Sequence, residues 1–221
     1  TRGETLGLIG SNGAGKTTLF ELIAGFVQPN AGSVTFDGID ISRRTAEARS
    51  AMGLVRSFQN ASMFPTMTAR DIIMLAQQHA ATTSAIDRSV NDTLRMFGLS
   101  ALADQPVRRL STGTRHIVEL AANVTLGPRL LLLDEPSAGI AQAETEALGS
   151  VIEKIRDSYG ITIMVIEHDM PMLSAICDRM IALELGSIIA EGTPAEIQSN
   201  EAVIRSYLGD DPAAIPRSGS L

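Results

Sequence analysis

The stretch Gly10-Ser11-Asn12-Gly13-Ala14-Gly15-Lys16-Thr17-Thr18 decides the reading of this chain. It follows the apolar run Thr5-Leu6-Gly7-Leu8-Ile9 and precedes Leu19-Phe20-Glu21-Leu22-Ile23-Ala24, whose apolar residues recur at helical spacing. Strand, glycine-rich turn and helix in that order is the context of a phosphate-binding loop. Glycines let the backbone turn tightly, so that several N–H groups face one anion, and the helix adds the positive end of its dipole. Lys16 supplies a point charge for the β- and γ-phosphates of a nucleotide, and Thr17 offers a hydroxyl to Mg²⁺. A plain glycine turn between a strand and a helix would require neither the Lys-Thr pair nor this spacing.

Outward from the loop, a helix over about Thr17 to Ala24 stops at Gly25. Pro29 to Gly32 signals a turn, and Ser33 to Phe36 reads as a strand closed by Asp37-Gly38. Arg43 to Arg49 is polar and reads as a short exposed helix, and Gly53 to Phe58 as another strand ending at Gln59. From Ala69 to Phe97 the pattern is helical, with Ala80 to Ser84 as a loop and Ile86, Val90, Leu94 and Phe97 on one face. Ile117, Leu120, Ala121 and Val124 mark a further amphipathic helix, ended by Gly127-Pro128.

The four leucines Leu130 to Leu133 suit a strand buried on both faces of a parallel sheet. Thr162 to Ile166 is a second such run, reached through a helix with Leu148, Val151, Ile152 and Ile155 on its apolar face. Pro171 fits the first turn of the next helix, and Met180 to Leu185 with Ser187 to Ala190 reads as a hairpin around Gly186. Strands alternating with helices imply an α/β fold with a mostly parallel sheet, plus a small antiparallel β part. The expected division is a core over 1–60 and 126–208, an inserted helical subdomain over 61–125, and a tail over 209–221 with little to bury, expected to be disordered.

Composition narrows the classes. A net charge of −7 weighs against a general nucleic-acid binder, and no nucleic-acid partner is expected. No apolar run approaches the ~20 residues that span a bilayer. The single Cys177 excludes an internal disulfide and is expected to be buried filler.

Leu130 to Glu135 places Asp134 and Glu135 where a buried strand ends, the edge at which open α/β sheets bind ligands. Asp134 is the expected Mg²⁺ ligand, directly or through water, and Glu135 the general base that polarises the attacking water. The structural alternative for Asp134 is a helix N-cap.

Three ordered segments now carry a resemblance: the glycine loop, Leu110-Ser111-Thr112-Gly113-Thr114, and Leu130-Leu131-Leu132-Leu133-Asp134-Glu135-Pro136. Together they resemble the ATP-binding-cassette ATPases, over nearly the whole chain. The resemblance implies a RecA-like P-loop fold, ATP and Mg²⁺, and two such subunits paired head to tail, as a homo- or heterodimer. Gly10 to Thr18 of one subunit and Ser111, Thr112 and Gly113 of the other would then hold one ATP. It further implies that Gln59 reaches Mg²⁺ and the water, and that His168, in Ile166-Glu167-His168-Asp169, contacts the γ-phosphate. His79 and His116 are expected to be unremarkable.

The sequence departs from the family pattern at Thr112 and Thr114, in a segment usually Leu-Ser-Gly-Gly-Gln, and at Ala141, where Asp is usual. The aromatic that stacks on adenine is expected to be missing, because the sequence opens at Thr1. Membrane permease subunits are expected to dock in a groove near Gln59–Met67, on a subunit lying peripherally at the cytoplasmic face of the cell membrane. Ile166 to Met170, Ala190 to Pro194 and Ile204 to Gly209 look most like importers of branched-chain amino acids or related solutes. The alternatives are an exporter ATPase, including lipid export, a non-transport cassette ATPase, and a P-loop nucleotide kinase. The kinase would lack the Leu110–Thr114 segment and the Asp-Glu pair.

Overall fold

A computed structural model describes residues 1–57, 64–80 and 89–208, without the side chains of 142, 143, 207 and 208. The chain runs β1 (Thr5–Gly10), α1 (Lys16–Ala24), β2 (Thr35–Phe36), β3 (Ile39–Asp40), α2 (Ala46–Ala51), β4 (Leu54–Arg56), α3 (Ala69–Gln78), α4 (Val90–Met96) and α5 (Thr112–Thr125). It continues through β5 (Leu130–Asp134), α6 (Gln142–Tyr159), β6 (Thr162–Ile166), α7 (Met170–Ile176), β7 (Arg179–Glu184), β8 (Ser187–Gly192), α8 (Pro194–Ser199) and α9 (Glu201–Leu208).

Six strands form one sheet in the order β4-β5-β6-β1-β7-β8. Neighbours from β4 to β7 are parallel, and β8 joins the edge antiparallel through the Leu185-Gly186 turn. β2 and β3 form a separate antiparallel pair. The four leucines divide as period-two alternation requires: Leu131 and Leu133 enter one apolar cluster, and Leu132 enters the other, with Phe20, Leu8 and Ile166. Helices α3, α4 and α5 add Ile73, Leu94, Val118 and Ala121 to the cluster that already holds Val55 and Leu131. They therefore share one core with a face of the sheet. Their starts are capped locally: Thr68 and Asp71 form a reciprocal capping box, and the Ser89 hydroxyl accepts from the Asp92 N–H.

The polar stretch expected as an exposed helix over Arg43 to Arg49 corrects in two respects. The helix lies at Ala46–Ala51, and Arg49 within it is fully buried. Its guanidinium donates to the carbonyls of Leu22 at 2.6 Å and Ile23 at 2.7 Å, and to those of Ser42 and Arg44 at 3.1 Å each. Leu22 and Ile23 sit in the last turn of α1, whose carbonyls have no intrahelical partner. Arg49 thus clamps the helix that follows the glycine loop to the loop leading into α2. Residues 58–63, which include Gln59 and the expected end of the β4 strand, lie outside the described residues, as do the loop over 81–88 and the tail over 209–221.

Two outcomes follow for stability and reactivity. Arg49→Met leaves several buried carbonyls without donors at about 1–3 kcal/mol each, so at least about 3 kcal/mol should be lost. A urea titration should register that loss, and a thermal melt should fall by about 6–12 °C. Arg49→Lys should recover only part of it, because an ammonium has three donors in place of five. Cys177 is buried, and burial pushes its thiol up to about 12. It should resist thiol reagents at pH 8 in the native protein and react fully in urea.

Candidate active site

Because β6 lies between β1 and β5, the carboxyl ends of all three open on one edge of the sheet. The glycine loop leaves β1 there, Asp134 and Glu135 leave β5, and Glu167 and His168 leave β6. The register pairs Asp134 with Ile166 and Leu8 with Ile166, so the departures are level.

In the loop, Gly10 is needed for close approach. A Cβ there would lie 2.4 Å from the carbonyl oxygen of Leu183 on the neighbouring strand β7. The Gly186 N–H, from the β7–β8 turn, donates to the Ala14 carbonyl at 2.9 Å and braces the loop from outside. Lys16 is buried, and its ammonium donates to the carbonyls of Gly10 at 2.6 Å and Ser11 at 3.2 Å. Burial pushes this ammonium below its ordinary range, while the charges of Glu135 and Asp134 pull it back up. Thr17 and Thr18 are exposed at the start of α1.

Asp134 is buried and accepts from the Arg56 guanidinium, Nη2 to Oδ2, at 2.7 Å. Its backbone N–H donates to the Ser57 hydroxyl at 3.1 Å. Glu135 has a left-handed backbone, φ +50°, which for a residue with a side chain costs on the order of 1–3 kcal/mol. That turn follows the last strand residue, and the Glu135 N–H still bonds the Ile166 carbonyl at 2.9 Å. The Glu135 carboxylate lies 3.3 Å, Oε1 to Nε2, from His168.

Glu167 ties this corner together. It is buried and accepts from the backbone N–H groups of Ser137 at 2.7 Å, His168 at 2.8 Å and Asp169 at 3.4 Å. One carboxylate therefore fixes the loop after β6 to the loop after β5. His116 lines a water-sized cavity of about 20 Å³ with Ser57, Asp134 and Glu135. Burial lowers its imidazole, against a hydrogen bond to the Ala138 backbone that favours the charged form.

Ser111 caps α5: its hydroxyl accepts from the Thr114 N–H at 3.1 Å and donates to Glu144 at 3.2 Å. Its partners lie on α5 and α6, not on the glycine loop. Gly113 is buried against the same Glu144, whose carboxylate oxygen would meet an added Cβ at 2.7 Å. Thr112 is exposed at the first turn. Ala141 is the N-cap of α6, and no side chain caps that end. Gln59 cannot be located relative to these groups, because it lies outside the described residues.

Sequence reasoning assigned no role to Arg56, Glu144 or Glu167. Only Glu167 carried a usable signal, an acid directly after a buried strand, as Asp134 is. Beside β4, a cleft of about 660 Å³ is lined by Phe26, Glu47, Ser50, Arg56, His79 and Leu126. Phe26 is 53% exposed beside it. Further along the chain, Phe64 and Pro65 are exposed too.

The arrangement joins a helix-start loop with a buried cation, two carboxylates and an imidazole at one sheet edge. That is the equipment for holding a triphosphate and deprotonating a water beside it.

Comparison with known proteins agrees with this chemistry. A family model described as ABC transporter matches residues 1–138, and a second, described as branched-chain amino acid ATP-binding cassette transporter, matches residues 187–213. The chain is 35% identical to the high-affinity branched-chain amino acid transport ATP-binding protein BraF of Pseudomonas aeruginosa, over 94% of this chain and 88% of that protein. It is 37% identical to the lipopolysaccharide export system ATP-binding protein LptB of Escherichia coli, over 95% and 87%. Among solved structures, the ADP conformation of MJ1267, an ATP-binding cassette of an ABC transporter, superposes with a TM-score of 0.84 at 26% identity, covering 95% of this chain and 89% of that one. With a family model over residues 1–138 and relatives matched along almost its whole length, the chain belongs to the ABC transporter family, as one of its ATP-hydrolysing subunits.

Proposed function

We propose that this subunit energises the import of branched-chain amino acids or related polar solutes. The observation that supports this cargo is the match of residues 187–213 to the branched-chain amino acid cassette model. That stretch contains β8, α8 and α9 and none of the phosphate-facing residues, so shared ATP chemistry does not account for the likeness. The 37% identity to a lipopolysaccharide export protein favours one rival, lipid export. Purifying the subunit from membranes with its permease, and measuring uptake of labelled leucine, isoleucine and valine with and without it, decides between them. Uptake that does not depend on the subunit would reject the import reading.

In the proposed mechanism the backbone of Gly10 to Thr18 wraps the β- and γ-phosphates, and Lys16 releases the Gly10 and Ser11 carbonyls to pair with them. The Thr17 hydroxyl and the Asp134 carboxylate are hard oxygen donors that fit Mg²⁺. Bound there, Mg²⁺ would neutralise charge on the phosphoryl oxygens. Glu135 takes the proton of the attacking water, and His168, whose Nε2 lies against that carboxylate, would turn to the γ-phosphate when ATP is bound. Gln59, which lies outside the described residues, would by the family resemblance reach Mg²⁺ and this water.

Ser111, Thr112 and Gly113 serve the ATP of a second subunit, head to tail. In support, Ser111 bonds Glu144 and Thr114 rather than its own glycine loop. The permease would dock in the groove expected near Gln59–Met67, where Phe64 is exposed, holding the subunit peripherally at the cytoplasmic membrane face. Among the described residues no helix is long and apolar enough to cross a membrane.

Glu135→Gln should keep ATP binding and lower turnover by about 10²-fold or more. Near-normal turnover would remove Glu135 from the role. Lys16→Ala should instead weaken nucleotide binding in a direct titration. Ala141→Asp supplies the missing N-cap of α6 and should stabilise the subunit by about 0.5–2 kcal/mol. Combined with Glu135→Gln and ATP, it should raise the dimer fraction on a sizing column, where the parent chain without nucleotide should run as a monomer.

A further inference from the structure

We infer that Arg56 is a positioning residue for the metal-binding carboxylate: it holds one oxygen of Asp134 in a buried ion pair, so that a divalent metal enters only together with nucleotide phosphates. This rests on reading Asp134 as the Mg²⁺ ligand. Arg56 ends β4 and Asp134 ends β5, two parallel neighbours, so both reach the same edge. Their Nη2 and Oδ2 atoms are 2.7 Å apart, with side chains only 9% and 2% exposed. The pair engages Oδ2, and Oδ1 lies outside it.

The guanidinium is also set 6.0 Å from the Phe20 ring centroid and 5.8 Å from that of Phe26. Two aromatic rings and a carboxylate contact it together and limit where it can move. A buried ion pair of this kind is weak support for stability, since apolar residues of similar size often serve as well. Its placement on the functional carboxylate therefore calls for another reason.

Charge supplies one. Arg56 and Lys16, both cationic, face the two carboxylates Asp134 and Glu135. Glu167 adds a third carboxylate at this corner, but it is turned to the backbone N–H groups of Ser137, His168 and Asp169; the two cations offset the other two carboxylates and leave a free divalent cation little attraction. Among the described residues no three His, Cys, Asp or Glu side chains converge to hold a metal. The phosphates of a nucleotide bring both the missing negative charge and the missing oxygens. Without Arg56 the carboxylate would be left buried and unpaired, and a cation would take the place of the guanidinium.

Mn²⁺ binding to the full chain, read from the loss of the free-ion electron paramagnetic resonance signal, tests this without reference to turnover. The wild-type chain should bind Mn²⁺ weakly alone and tightly with a non-hydrolysable ATP analogue. Arg56→Gln should bind Mn²⁺ alone at least about tenfold more tightly than the wild type. Arg56→Lys should stay near the wild type, and Arg56→Gln with Asp134→Asn should lose the gain. Melts of each variant establish folding. Tight Mn²⁺ binding by the wild-type chain without nucleotide would overturn the inference, whether or not Arg56→Gln folds. So would an Arg56→Gln protein that binds Mn²⁺ no better, while Asp134→Asn alone abolishes the metal dependence of nucleotide binding; the reading of Asp134 would survive. If Asp134→Asn leaves that metal dependence intact, the reading of Asp134 itself fails, and this inference with it.

Discussion

Everything at the site depends on one pairing: β6 lies between β1 and β5, in parallel register on both sides. Parallel register sends three chain segments out at the same edge and the same height. A slip of one residue would turn Leu131 and Leu133 to the face now held by Leu132 and break both apolar clusters. The apolar core thus fixes, without any ligand, where Lys16, Asp134, Glu135 and His168 meet. Glu167 adds the last constraint, since its carboxylate accepts backbone N–H groups from the loops after β5 and β6 together.

The buried charges divide by what satisfies them. Arg49 is held by four backbone carbonyls and serves the seating of α1. Lys16 also rests on carbonyls, but its bonds are to the loop that would receive a phosphate, so an anion can exchange for them. Arg56 rests on a carboxylate and on two rings, and the same side chain lines the cleft beside β4.

Much of this was legible in the sequence because it is local. Glycine spacing, Lys16-Thr17 and the runs of Leu130 to Leu133 and Thr162 to Ile166 state their roles within a few residues. The antiparallel hairpin around Gly186 was legible for the same reason, and the neighbouring of the His168 and Asp134 strands followed from the α/β pattern. What escaped was set by distant partners. Arg49 reads as a solvated residue until its carbonyl partners, 26 and 27 positions away, come into contact. The Ser111–Glu144 bond spans 33 positions and joins two helices that share no local signal. Strand ends also shifted: Ser33 to Phe36 shortened to Thr35–Phe36, because β2 pairs only with the equally short β3.

On this reading the edge formed by β1, β5 and β6 receives the triphosphate of ATP. The most direct measurement is a crystal structure of the Glu135→Gln subunit grown with ATP and Mg²⁺. The β- and γ-phosphates should lie on the N–H groups between Gly13 and Thr18, with the Lys16 ammonium moved from the Gly10 carbonyl onto them. A triphosphate bound elsewhere, with Lys16 still on Gly10 and Ser11, would contradict the account.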